Sequence, residues 1–228
     1  MRKVITLSFF LLTLPALTFG QSVDILWQGE GYNSPFYEGR TLWSSQSSIT
    51  LLAIPQGLGS PSALNYKWSR NGTVLGNTNG IGKNSISLLD SILSKSQTIK
   101  IEIVAADGST SAQSSVVITP RSPVLLVYEQ NPLYGFMFHR EVGSNYKLTE
   151  PEVTFAAFPL FFSIFNRVEG TVVYKWGTNA GGSGTGASAV YRAPEGGSGE
   201  AVVSISLENK EEILQTANKN FLVEFGEE

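Results

Sequence analysis

The feature that most constrains this chain is that it reads twice. The tripeptide Tyr66-Lys67-Trp68 returns unchanged as Tyr174-Lys175-Trp176, 108 residues further on. Ahead of it, Ile49-Thr50-Leu51-Leu52-Ala53-Ile54-Pro55 is echoed by Val153-Thr154-Phe155-Ala156-Ala157-Phe158-Pro159, 104 residues on. Ser34-Pro35-Phe36-Tyr37 is matched by Asn131-Pro132-Leu133-Tyr134 at 97 residues, and Ile101-Glu102-Ile103 by Val203-Ser204-Ile205 at 102. The matches keep their order while the spacing drifts, as loops of unequal length would produce. A period of about 100 residues is one domain duplicated, whereas solenoid units repeat every 20 to 50 or so.

Within each copy the period is two. Leu64, Tyr66 and Trp68 share one face, and Val172, Tyr174 and Trp176 do the same in the second copy. Ile99, Ile101 and Ile103 alternate with Lys100 and Glu102, while Val203, Ile205 and Leu207 alternate with Ser204 and Ser206. Such alternation marks antiparallel strands with one wet face and one packed on a core. Asn71-Gly72, Asn79-Gly80, Asp107-Gly108 and the glycine-rich tract 181–186 separate the runs. Asp107-Gly108 predicts a tight hairpin, and 187–192 reads as a strand after the glycine tract. Only 88–95 and 208–214 read as locally helical. The expected fold class is all-β: two tandem antiparallel β-sandwiches, residues 21–121 and 122–228. They are joined by Pro120-Arg121-Ser122-Pro123, whose prolines restrict the connector and favour a semi-rigid pair.

The first residues carry an address. Arg2 and Lys3 precede an apolar run from residue 4 to about 17, followed by the small residues around Thr18 and Gly20. This pattern predicts an N-terminal signal peptide, residues 1–20, with cleavage after Gly20 or, alternatively, Thr18. The run falls short of the roughly 20 residues of a spanning helix and contains Pro15; a retained N-terminal anchor is the competing reading. No cysteine stands at the exit to carry a lipoprotein anchor, and no membrane span is expected in the mature chain. The chain has no cysteine at all, so stability rests on hydrophobic burial, which units of about 100 residues can supply. A formal charge of -3 without a basic stripe argues against nucleic acid as a partner.

The duplicated unit resembles the immunoglobulin-like superfamily, in particular its bacterial PKD-like branch. The likeness rests on the Tyr-x-Trp strand, present as Tyr66-Lys67-Trp68 and Tyr174-Lys175-Trp176, and on a paired-strand ending of residues 99–105, Asp107-Gly108 and 115–119. It departs in the turn after each Trp, Ser69-Arg70-Asn71-Gly72 and Gly177-Thr178-Asn179-Ala180, which lacks the acidic residue usual in PKD domains. The resemblance implies an exported bacterial protein with an extracellular binding or spacer role. Fold alone does not set function.

Trp68 and Trp176 belong in the core, where this fold buries a tryptophan. Trp27 and Trp43 have no counterparts in the second copy and are the candidate exposed aromatics. His139 is the single histidine, and a triad would need one of Asp24, Asp90 and Asp107, without a Gly-x-Ser-x-Gly elbow. No catalytic residue, cofactor-binding residue or metal ligand is assigned, no cofactor is expected, and no enzyme is expected. The tract 181–186 lacks the helix and lysine of a phosphate loop and reads as a hairpin loop.

One stretch is less bland. After Pro159 the second copy continues Leu160-Phe161-Phe162-Ser163-Ile164-Phe165, where the first has the polar Gln56-Gly57-Leu58-Gly59-Ser60-Pro61. These residues either extend a strand and fill the core or junction, or expose an apolar docking patch; Phe161, Phe162 and Phe165 are the candidate partner-docking residues. The expected function is a non-enzymatic exported interaction or structural module in a cell-surface assembly or appendage. Its expected partner is another cell-envelope or extracellular protein. The alternative is a carbohydrate-binding module of the envelope, whose glycan would stack on exposed aromatics.

Overall fold

The structure, a computed structural model, describes residues 20–226 except Phe36, Ala106 and Thr110. All of the expected signal peptide except Gly20 therefore lies outside the described residues. In chain order, the first half forms β1 (Ser22–Gly29), β2 (Ser48–Gln56), β3 (Asn65–Arg70), β4 (Thr73–Val74), β5 (Gly80–Ile81), β6 (Ser85–Leu89), β7 (Gln97–Val104) and β8 (Ser111–Ile118). The second half forms β9 (Val124–Asn131), β10 (Gly135–Glu141), β11 (Asn145–Lys147), β12 (Glu152–Leu160), β13 (Val172–Thr178), β14 (Ser183–Gly184), β15 (Ser188–Arg192), β16 (Gly199–Asn209) and β17 (Thr216–Phe225). No helix among the described residues is long and apolar enough to cross a membrane.

Each half is a sandwich of two sheets. In the first, β1-β2-β6 faces β4-β3-β7-β8, with β5 also on β3; in the second, β10-β9-β12-β15 faces β11-β17-β16-β13-β14. Neighbours pair antiparallel except β11, which runs parallel to β17. A single parallel bridge, Ser44 with Arg121, holds the corresponding place in the first half. The period-two runs account for this arrangement. Ile99, Ile101 and Ile103 on β7 and Val203, Ile205 and Leu207 on β16 are buried, as are Tyr66, Trp68, Tyr174 and Trp176 opposite them.

The two tryptophans do the same job. The indole N–H of Trp68 donates to the Lys83 carbonyl at 2.9 Å, and that of Trp176 to the Gly186 carbonyl at 2.9 Å. Each acceptor lies two residues ahead of a strand in the opposite sheet, β6 or β15, so the bond spans the sandwich. The tyrosines also match: Tyr66 Oη donates to the Pro61 carbonyl at 3.0 Å and Tyr174 Oη to that of Arg167 at 2.5 Å.

Three sequence expectations need correction. Neither 88–95 nor 208–214 is helical: each begins as the end of a strand, β6 or β16, and continues as turns. Such short segments cannot repay helix nucleation, whereas Ile86 and Asn209 are buried in sheet registers. Asp107-Gly108 lies in a longer loop, since the last β7–β8 pair is Val104 with Ser111; Asp107 Oδ1 accepts from the Ser109 N–H at 3.0 Å. The late repeat is also two residues out. Trp68 faces Ile101 and Trp176 faces Ile205, so Ile101 corresponds to Ile205 rather than Val203.

Two outcomes are expected. Truncating either tryptophan, Trp68→Ala or Trp176→Ala, should cost about 3–5 kcal/mol in urea unfolding; a loss below about 1 kcal/mol would contradict a core role. Burial raises the Tyr66 and Tyr174 phenols above the ordinary value of 10.0. A raised folded-state value means their stabilisation is complete below about pH 10 and is lost as pH rises beyond it. Urea midpoints should therefore fall between pH 8 and pH 11, and a Tyr66→Phe/Tyr174→Phe variant should fall less. Full phenolate absorbance at 295 nm near pH 10 with the fold intact would refute this.

Candidate interaction surface

The apolar run after β12 lies where the two sandwiches meet. Beyond Leu160 the chain turns at Phe161, which has φ of 62°, the left-handed region that non-glycine residues seldom occupy. Contacts from the first sandwich hold it there. The Phe161 N–H donates to the Tyr32 carbonyl at 3.2 Å, and the Tyr32 N–H donates to the Phe162 carbonyl at 2.8 Å. Gly31 has to be small at this point, because a Cβ there would sit 2.9 Å from Ser44 Oγ and 3.2 Å from the Phe162 carbonyl oxygen. The Phe162 ring then enters the second core beside Ile164.

A fully buried glutamine closes the other side. Gln215 Nε2 donates to the Ser45 carbonyl at 2.7 Å and to Ser163 Oγ at 2.6 Å. Its Oε1 accepts from the Ser163 N–H at 2.8 Å and from Asn209 Nδ2 at 2.7 Å. Both donors and both lone pairs of the amide are used, which is the condition for burying such a group cheaply. Next to it, Gln46 Oε1 accepts from the Leu214 N–H at 2.5 Å, while the Gln46 N–H donates to Asp90 Oδ2 at 3.0 Å. Gln46 is also left-handed, with φ of 59°. The connector is laddered too: the Arg121 N–H donates to the Trp43 carbonyl at 2.7 Å, and the Ser45 N–H to the Arg121 carbonyl at 3.0 Å.

These bonds gather three loops, 90–96, 161–169 and 210–215, around one seam. Each loop exposes large apolar side chains among its polar ones. Phe165 is 96% exposed, and Ile92, Leu93 and Ile213 are exposed with it. The structure therefore divides the three phenylalanines singled out from the sequence. Phe162 is core and cannot meet a partner, Phe161 is half-buried at the seam, and Phe165 stands in solvent.

The aromatic candidates divide as well. Trp43 is 1% exposed and donates its indole N–H to the Ser47 carbonyl at 2.9 Å, which corrects its reading as an exposed aromatic. The pairing of residues 43–45 with Arg121 folds it beneath the loop. Trp27 is half-buried, and the Arg40 guanidinium lies 3.6 Å above its ring, a cation–π contact that occupies the open face. His139 is exposed on β10 of the second sandwich, whereas Asp24, Asp90 and Asp107 all belong to the first. No group of three or more His, Cys, Asp or Glu that could hold a metal occurs among the described residues. Sequence reasoning missed Tyr32, Gln46 and Gln215. Nothing in a polar loop marks a glutamine as fully buried when its partner is 170 residues away.

The strand order, β1-β2-β6 against β4-β3-β7-β8 and its counterpart in the second half, defines an all-β protein of two tandem antiparallel sandwiches with the strand arrangement of an immunoglobulin-like fold. No family model and no curated protein matches the chain. Among solved structures it is similar to the three N-terminal domains of the Highly Immunogenic Outer Capsid protein (Hoc) of bacteriophage RB49. That match has 16% identity and a TM-score of 0.48, covering 90% of this chain and 59% of the Hoc chain. It is also similar to fibronectin(III)-like modules of Clostridium thermocellum CbhA, at 13% identity and a TM-score of 0.31, covering 89% of this chain and 93% of that one.

Removing the buried amide should loosen the seam and leave the cores alone. Gln215→Leu strands the Ser163 N–H and the Asn209 amide, at about 1–3 kcal/mol for each unpaired group. Hydrogen exchange should speed up at Tyr32 and Leu214 and stay slow at Ile101 and Ile205. Unchanged exchange at Tyr32 and Leu214 would show that Gln215 does not hold the seam.

Proposed function

We propose that this chain is a non-enzymatic interaction module, exported from the cell, that docks a partner protein of the cell envelope through the apolar rim at its seam. The observation that carries this reading is the exposed set Phe165, Ile213, Ile92 and Leu93, drawn from both sandwiches around a hydrogen-bonded junction. Contiguous exposed apolar residues on a folded surface mark interaction sites, and a fixed junction presents them without the entropic cost of ordering two free domains. Export is supported by the signal-peptide pattern of residues 1–20, and a place in a cell-surface assembly or appendage is compatible with that address. The carbohydrate alternative loses its anchors, since Trp43 is buried and Trp27 lies under Arg40.

The test is affinity capture from the native envelope, comparing the wild type with a Phe165→Ser/Ile213→Ser variant of the same melting temperature. The expected result is one protein recovered at least tenfold better by the wild type; identical recovery would rule out the rim as the docking site. N-terminal sequencing of the cell-envelope or secreted fraction should begin at Gln21 or Phe19. Finding the chain only in the cytosol, with Met1 or Arg2 at its start, would overturn export.

A further inference from the structure

The duplication makes an internal comparison possible. The two sandwiches differ at the lateral gap between their sheets, beside the strands β6 and β15. In the first sandwich large side chains close this gap. Ile86, paired with Leu51 across β2 and β6, is buried. The Arg70 guanidinium donates to Gln97 Oε1 at 3.0 Å and to the Leu89 carbonyl at 3.3 Å, which ties β3 and β7 to the end of β6. Leu75 packs against the same core, held by its N–H bond to the Trp68 carbonyl at 2.9 Å.

The second sandwich carries smaller groups at each of these places. Counting from the two tryptophans and the isoleucines they face, Thr178 stands for Arg70 and Ala201 for Gln97. The pair Phe155 with Ala189 stands for Leu51 with Ile86, so an alanine replaces the isoleucine. In place of the segment that holds Leu75 runs the tract 181–186, which has no side chain larger than threonine. The result is a cleft of about 540 Å³ between the sheets, lined by Phe155, Trp176, Ala189, Tyr191, Ala201 and Phe225 among others. The Tyr191 and Phe225 rings stand 6.5 Å apart, tilted by 48°. Tyr191 is half-buried, and its hydroxyl has no hydrogen-bond partner among the described residues. Burial raises this phenol above its ordinary value of 10.0.

We infer that this cleft binds a small aromatic molecule that carries a hydroxyl group. The ring lies between the sheets beside Tyr191 and Phe225, and the hydroxyl bonds to Tyr191 Oη. Small-molecule sites are concavities of about 300–1,000 Å³ with mostly apolar and aromatic walls and a few placed polar groups. Aromatic rings meet best edge-on or offset, which the tilted pair allows. A phenol drawn out of water without a partner costs free energy that a ligand hydroxyl recovers. The chemistry fits a small molecule better than a protein, because Ser183, Thr185, Arg192 and Glu200 beside the cleft are all exposed and polar. A stable protein interface needs about 800 Å² on each side with an apolar centre. None of these residues belongs to the three loops of the seam, so either assignment can fail alone.

The probe is 2-naphthol, titrated into the purified protein by equilibrium dialysis, with naphthalene as the same ring system without the hydroxyl. Saturable binding of one 2-naphthol per chain is expected, unaffected by Phe165→Ser/Ile213→Ser. Ala189→Ile gives the second sandwich the side chain of the first and should weaken binding at least tenfold. A melting temperature at or above the wild-type value verifies its fold. Tyr191→Phe keeps the ring and removes the hydroxyl, so it should weaken 2-naphthol at least fivefold and leave naphthalene unchanged. Absence of saturable binding up to the solubility limit, or equal binding by Ala189→Ile, would overturn the inference. So would an equal response of the two ligands to Tyr191→Phe, since the phenol would then recognise nothing.

Discussion

Each sandwich depends on one tryptophan that ties its two layers together. Trp68 and Trp176 sit mid-strand in one sheet and donate their indole N–H groups to carbonyls that lead into β6 and β15 of the other. Antibody-type domains place a disulfide between the layers beside this tryptophan, and this chain has no cysteine. The ring supplies its large apolar area to the core, and its one polar atom is satisfied across the gap. A phenylalanine would fill much of the space but leave the carbonyl unpaired, and a leucine would fill less. The same bond in both halves is also the clearest structural sign that the chain is one unit duplicated.

The junction solves a different problem. Two sandwiches on a short connector would normally move relative to one another, because interfaces within a chain tend to be small and polar. Here the contacts are few but directional. A reciprocal pair of main-chain bonds joins Tyr32 to Phe161 and Phe162, and a buried amide uses all its valences. Phe161 and Gln46 adopt left-handed backbone conformations to make these contacts, strain that persists only where surrounding structure over-determines it. Phe162, driven into the second core, supplies that determination.

The junction has a consequence for the outer faces. In the second sandwich, the segment after the first strand folds back as β10 and covers its own sheet. In the first, the matching segment reaches across to the neighbour, and Tyr32 packs against both clusters of the second half. After that crossing the segment returns to β1, where the Thr41 carbonyl accepts from the Gly29 N–H at 2.9 Å. Leu26, Leu52 and Ile54 stay exposed all the same, so two nearly equivalent sheets differ in what the loop after their first strand covers.

The residues alone determined the class, the repeat and most of the core. Alternation with period two is a property of the extended chain, so Tyr66, Trp68, Ile101 and Ile205 could be assigned to an inner face without knowing what lies opposite. The same period also limited what could be read. A strand slipped by two residues keeps its faces, so Ile101 could be aligned with Val203 as readily as with Ile205. Only tertiary structure decided where the irregular segments went. Trp43 and Gln215 lie outside any periodic run, and their burial depends on loops that arrive from elsewhere in the chain. The three phenylalanines have similar hydrophobicity, yet one is core, one is strained at the seam and one stands in solvent. Which of them is which was set by the backbone turn at Phe161, a geometry imposed by a partner 129 residues earlier, Tyr32.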